Sequence, residues 1–144
     1  RGLGDVYKRQ VHNAPKTSSY VNTRSISKDG GISTFRSSVV VSAKAKGSKS
    51  AVSCQSLMLD DISRSDTIPA MDIRTKDADV GHEAKIGRIS DDAVFYLMSR
   101  GISEEDARAL IVSGFADNVS KELPLEYAVE MNNLIHLEMK GSIG

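Results

Sequence analysis

The chain has 144 residues, with 19 Lys+Arg against 19 Asp+Glu and therefore a formal net charge of zero. Hydrophobic residues make up 40% and charged residues 26%, the balance of one folded domain of ordinary size. This excludes a strongly basic nucleic-acid binder held by counterion release, and no apolar run is long enough for a membrane-spanning helix.

Residues 1–10 (RGLGDVYKRQ) have the look of adaptor-derived sequence and are set apart from the fold. No initiator Met and no signal-peptide pattern are present, and both ends read as those of a fragment of a longer chain. His12 heads the run His12-Asn13-Ala14-Pro15-Lys16-Thr17, a turn signal whose spacing implies no ligand.

Residues 17–89 read as strands. Thr, Ser, Val and Ile are dense, and alternation recurs. Phe35, Ser37, Val39, Val41 and Ala43 share one face. In the next run, Val52, Cys54 and Met58 oppose Ala51, Leu57 and Leu59. Further on, Val80, His82, Ala84 and Ile86 lie on one side, with Glu83 and Lys85 on the other. Turn signals at Asp29-Gly30-Gly31, Lys46-Gly47-Ser48, Asp60-Asp61 and Lys76-Asp77 recur about every 15 residues, longer than a hairpin meander favours. Stacked rungs of a β-helix fit this rhythm, and so does a β-sandwich.

From residue 90 the signals are helical. Ser90 caps a helix with Asp91 and Asp92 in its first turn, Val94, Phe95, Leu97 and Met98 as its apolar stripe, and Gly101 at C′. Ser103 starts a second helix, with Ala107, Leu110, Ile111, Gly114 and Phe115 as its apolar side. Pro124 takes N1 of a third, whose buried side is Leu125, Ala128, Val129, Met131 and Ile135 and whose end is Gly141. The whole is α+β, mainly β first and then α.

Few residues carry chemistry. Cys54 is the one thiol, so an internal disulfide is excluded and a reducing compartment fits. A lone strand cysteine is first a small buried hydrophobe, and second a soft ligand for iron or a carrier of persulfide. One cysteine does not hold a cluster alone, because clusters take about four ligands. His82 and Glu83 are adjacent, so a strand points them to opposite faces unless Gly81 forms a bulge. HExxH spacing is absent, and a metal-dependent hydrolase built on these two lacks a third ligand. His136 reads as an ordinary helix residue. Neither a P-loop nor a GxSxG motif occurs. Lys44, Lys46 and Lys49 form a small basic patch that solvated turns account for. Aromatics at 5% and the lack of Trp argue against a base-stacking platform.

Several ordered segments resemble the SufB/SufD family, the scaffold subunits of the SUF iron–sulfur cluster assembly machine. They are His12-Asn13-Ala14-Pro15-Lys16-Thr17-Ser18-Ser19, Ile62-Ser63-Arg64-Ser65-Asp66-Thr67-Ile68-Pro69, Gly81-His82-Glu83-Ala84, Leu97-Met98-Ser99-Arg100-Gly101-Ile102, Gly114-Phe115 and Glu122-Leu123-Pro124-Leu125-Glu126. The resemblance covers about residues 11–144. It implies a right-handed parallel β-helix over residues 11–89, followed by a C-terminal helical domain over 90–144. The cysteine at 54 and the His-Glu pair at 82 and 83 resemble the SufB-type branch; SufD-type chains typically lack that cysteine and that glutamate.

The resemblance further implies an assembly scaffold rather than an enzyme. A transient iron–sulfur cluster would form at the interface with a SufD-type partner, or within a SufB-type homodimer. Cys54 would be the leading ligand, Glu83 the second candidate and His82 a weaker third. The helices would dock the SufC ATPase, and ATP hydrolysis would reside in that partner. A SufD-like structural module that docks SufC without binding a cluster is the alternative. The implied setting is bacterial cytoplasm or plastid stroma, with no nucleic acid or membrane as partner. The family's upstream sulfur-accepting region has no counterpart in this sequence.

Overall fold

The computed structural model describes residues 2–140. The Gly141 helix end expected from sequence lies outside them. Two compact units form, Arg1–Gly87 and Arg88–Gly144.

The first unit contains six strands, β1 (Leu3–His12), β2 (Ser18–Ser27), β3 (Ile32–Val41), β4 (Ser48–Met58), β5 (Arg64–Ile73) and β6 (Ala78–Arg88, whose last residue passes into the second unit). Odd and even strands separate into two sheets, ordered β1-β3-β5 and β2-β4-β6. Pairing is parallel from β1 to β3, from β3 to β5 and from β2 to β4. Leu3 pairs with Ile32, Ser18 with Lys49 and Ile32 with Arg64, offsets of 29, 31 and 32 residues. Each repeat thus supplies one strand to each sheet, and the 15-residue turn rhythm is half a repeat. Parallel neighbours reached through a strand of the other sheet distinguish this β-helix-like stacking from an antiparallel sandwich of hairpins.

Residues Leu3 to Gln10, set apart on composition, belong to β1 and are paired throughout with Ile32 to Val39 of β3. Register with β3 sets Val6, Lys8 and Gln10 beside Phe35, Ser37 and Val39, but Leu3 to Arg9 are all exposed, so the strand is held by its pairing and not by an apolar alternation.

The core lies between the two sheets. Val39, Val41, Ala45, Val52 and Cys54 are buried, with Val21, Phe35, Ala78 and Val80 packed against them. Burying each of these valines contributes about 1.5 to 2 kcal/mol. Hydroxyls fill the rest of the interior. Ser25, Ser33, Ser56 and Ser65 close a ring of contacts between 2.7 and 3.3 Å, two residues from each sheet, and Ser27 donates to Ser33 at 3.2 Å. Each hydroxyl thereby satisfies another, which removes the penalty for burying polar atoms among valines.

The turns are held by backbone and by one carboxylate. Asp60 accepts the N–H groups of Asp29 at 2.6 Å, Ile62 at 3.0 Å and Ser63 at 2.6 Å, tying one turn to the turn of the preceding repeat. Burial opposes the charge on Asp60, but these N–H donors and the Ser63 hydroxyl prevail and hold its pKa below the ordinary value.

The second unit holds α1 (Asp91–Met98), α2 (Glu104–Ser120) and α3 (Leu125–Lys140). Ser90 and Ser103 cap α1 and α2, accepting from Ala93 N–H at 3.2 Å and Asp106 N–H at 3.1 Å. Gly101, at φ +86°, donates to Met98 carbonyl while Ile102 donates to Leu97, the paired bonds of a Schellman ending. The apolar stripes differ from those read in sequence. On α2 the buried residues are Ala107, Ala109, Val112, Ala116 and Ser120, with Leu110 exposed. On α3, Leu125 and Val129 are exposed while Ala128, Met131 and Ile135 are partly buried and Met139 is buried. Small residues face α2's neighbours because close helix contact selects them over the larger Leu110. Pro124 precedes α3 and its carbonyl accepts from Ala128, which makes it the cap and not the first helical residue. No helix among the described residues is long and apolar enough to cross a membrane.

Candidate functional site around Cys54

Cys54 stands in the middle of β4, on the face that also carries Ser48, Ser50, Val52 and Ser56, all buried. Strand alternation aims its thiol between the sheets, where it is 3% exposed. His82, at an inward position of β6, brings Nε2 to 3.4 Å from Cys54 Sγ. Thr23 pairs directly with Cys54 across β2 and β4. Burial raises the thiol's pKa above its ordinary value, and the hydroxyl of Thr23 pulls in the other direction without reversing it. Cys54 is thus a protonated thiol at neutral pH, poor as nucleophile or ligand until its proton is removed. The imidazole beside it is the group placed to take that proton.

Of the residues singled out by sequence, Cys54 and His82 meet. Glu83 does not join them. It lies on the opposite face of β6 and pairs with Lys85 at 3.1 Å, so no bulge at Gly81 brings it inward. His136 is exposed on α3. Among the described residues, no group of three or more His, Cys, Asp or Glu side chains is close enough to hold a metal ion. The described donors at the site are one sulfur and one imidazole nitrogen, a soft and an intermediate ligand suited to iron or zinc but too few to enclose either.

Sequence reading passed over His12. It is 4% exposed, its Nδ1 2.6 Å from Thr17 Oγ1 and its Nε2 2.8 Å from Ser19 Oγ. Ser19 donates to Ser50, which donates to Gln10 Oε1. The ring thus bridges the Ser19 and Thr17 hydroxyls, and Thr17 also donates to the Ala14 carbonyl at 3.2 Å. Its burial follows from the pairing of His12 with Val41, which is buried, and no alternation in residues 3–11 signals it.

The parallel strands thus place a buried thiol beside a partly buried imidazole between the two sheets. The model of the family described as SUF system FeS cluster assembly, SufBD core domain, matches residues 3–115. Iron–sulfur cluster assembly SufBD family proteins of Staphylococcus saprophyticus and Mycobacterium bovis are 51% and 46% identical to this chain over 140 residues, 97% of its length. The chain belongs to the SufBD family. It spans 30% and 16% of the lengths of those two relatives.

Proposed function

We propose that this chain is the cluster-bearing part of a SufB-type scaffold, whose substrate is a nascent iron–sulfur cluster built at the interface with a SufD-type partner. The observation that supports it is the 3.4 Å approach of His82 Nε2 to the buried Cys54 thiol. A structural module has no use for a thiol paired with a base.

In this reading the two sheets coil as a right-handed parallel β-helix, and Cys54 is the first ligand or sulfur carrier. His82 takes the thiol proton and leaves a thiolate, the species that binds iron or sulfane sulfur. The partner completes the ligand set. Glu83 is the second candidate ligand, assigned to an opened state because in the closed one it faces away beside Lys85. The helical unit docks the SufC ATPase, with exposed Phe95, Leu125, Tyr127 and Leu137 as its apolar contacts. Hydrolysis by that partner opens the scaffold and exposes Cys54. The setting is bacterial cytoplasm or plastid stroma.

The test uses the full-length parent chain co-expressed with SufC-type and SufD-type partners and reconstituted anaerobically with iron and sulfide. Cys54→Ser is expected to lose visible absorption and bound iron while the complex still assembles. An unchanged cluster would remove Cys54 from the site and leave a SufD-like docking module.

A further inference from the structure

The inward residues of β2 and β4 meet as direct cross-strand pairs: Ser19 with Ser50, Val21 with Val52, Thr23 with Cys54 and Ser25 with Ser56. Two of these pairs are joined side chain to side chain, Ser19 donating to Ser50 at 3.0 Å and Ser25 to Ser56 at 2.8 Å. The pair of Thr23 and Cys54 repeats that arrangement with sulfur in place of one oxygen, and the Thr23 hydroxyl hydrogen-bonds the Cys54 side chain. On β2, Thr23 alternates with Val21, which packs on the core, and with Ser25 of the hydroxyl ring, so it shares their face.

The sulfur is therefore engaged from two strands. β4 lies between β2 and β6, with Thr23 on the first and His82 on the second, its Nε2 3.4 Å from Sγ. The two contacts differ in kind. The imidazole is placed to take the thiol proton, whereas the hydroxyl keeps its own and acts as a hydrogen-bond donor. A hydrogen bond to an ionised acceptor is about twice as strong as one to a neutral acceptor, so the Thr23 contact strengthens when the thiol becomes a thiolate. The branched Cβ of threonine restricts χ1, which holds the hydroxyl at the sulfur where a serine would rotate more freely.

We infer that Thr23 is a positioning residue for the ligand sulfur: its hydroxyl donates to Cys54 Sγ, holds it beside His82, and draws charge from it once iron is bound. The inference rests on the cluster-assembly reading and adds a residue to which that reading gives no part. Hydrogen bonds to sulfur are among the determinants of the reduction potential of an iron–sulfur cluster. A donor that neutralises part of the sulfur's negative charge favours the reduced form and raises the potential.

The chain has a single cysteine, so the S–H stretching band in its Raman spectrum reports Cys54 alone. Thr23→Val removes the hydroxyl at nearly constant volume, Thr23→Ala removes it with a smaller side chain, and Thr23→Ser keeps it. In the valine and alanine variants the band is expected to move to higher wavenumber, because a hydrogen bond accepted by the sulfur strengthens the one its S–H gives to His82. In Thr23→Ser it is expected to stay in place, with circular dichroism verifying all three folds. In the full-length complex reconstituted with iron and sulfide, Thr23→Val is expected to keep its iron but show a lower reduction potential than the wild type, and Thr23→Ser to restore it. An unmoved S–H band in the valine and alanine variants, or a Thr23→Val potential equal to that of the wild type, would overturn the inference. A cluster that survives Cys54→Ser overturns instead the reading beneath it, and the Raman band then still decides the hydrogen bond.

Discussion

The Cys54 thiol and the His82 imidazole stand 3.4 Å apart between two sheets, the sulfur almost wholly shielded from water. Shielding and a raised pKa act together on reactivity, because alkylation needs both access and a thiolate. At pH 8, iodoacetamide is expected to modify Cys54 roughly tenfold more slowly than glutathione, with the rate rising in sub-denaturing urea as the strands open. Mass spectrometry of the intact chain measures both. Modification as fast as glutathione would show that the thiol is already accessible.

The same burial links stability to alkaline pH. The folded thiol holds its proton more tightly than the unfolded one, whose ordinary value is 9.0. A group raised on folding contributes in full below its unfolded pKa, and the contribution is lost as pH rises through the folded value. Between pH 8 and 10 the melting temperature of the wild type is therefore expected to fall more than that of Cys54→Val. Comparing the two cancels the lysine and tyrosine titrations that both proteins share. Parallel curves would mean that the thiol's surroundings change little on folding.

Asp60 acts in the opposite sense. Its pKa is depressed in the fold by the N–H groups it accepts, so its contribution is present above the unfolded carboxylate value and lost as pH falls through the folded one. Asp60→Ala is expected to cost about 1 to 2 kcal/mol at pH 7, the scale of a lost cap, and less at a pH acid enough to protonate the wild-type carboxylate as well. Urea titrations at both pH values measure the difference. An equal cost at both would assign the effect to turn geometry rather than to the charge.

Much of this was legible in the sequence, for reasons that differ by residue. Phe35, Ser37, Val39 and Val41 alternate strictly, and the sheet interior obeys the alternation. Ser90, Ser103 and Gly101 announce helix ends through local chemistry, which tertiary packing leaves intact. The helix stripes were less legible. Leu110 fits a 3.6-residue period as well as Ala109 does, and only the closeness of the neighbouring helix selects the alanine. Cys54 and His82 were visible as residues and as inward positions, but their meeting depends on β6 lying beside β4, which no local pattern encodes. The hydroxyl ring was invisible for the same reason. Ser25, Ser33, Ser56 and Ser65 lie up to 40 residues apart and are joined by register alone.

The residue most undervalued by sequence reading gives the sharpest test of the fold. His12 fixes three strands at once, being the last residue of β1 and bonded through Ser19 of β2 to Ser50 of β4. His12→Ala strips partners from the Thr17 and Ser19 hydroxyls and leaves a void among buried atoms. Both hydroxyls keep another partner, Thr17 at Ala14 and Ser48 and Ser19 at Ser50, so two lost hydrogen bonds at about 1 kcal/mol each plus the void make an expected loss of about 3 kcal/mol. Ser19→Ala should cost about 1 kcal/mol more in the wild type than in the His12→Ala background, where only the Ser19–Ser50 bond is left to lose. Urea denaturation of the four proteins completes the cycle. A coupling energy near zero would show that the histidine supports the first strand by packing alone.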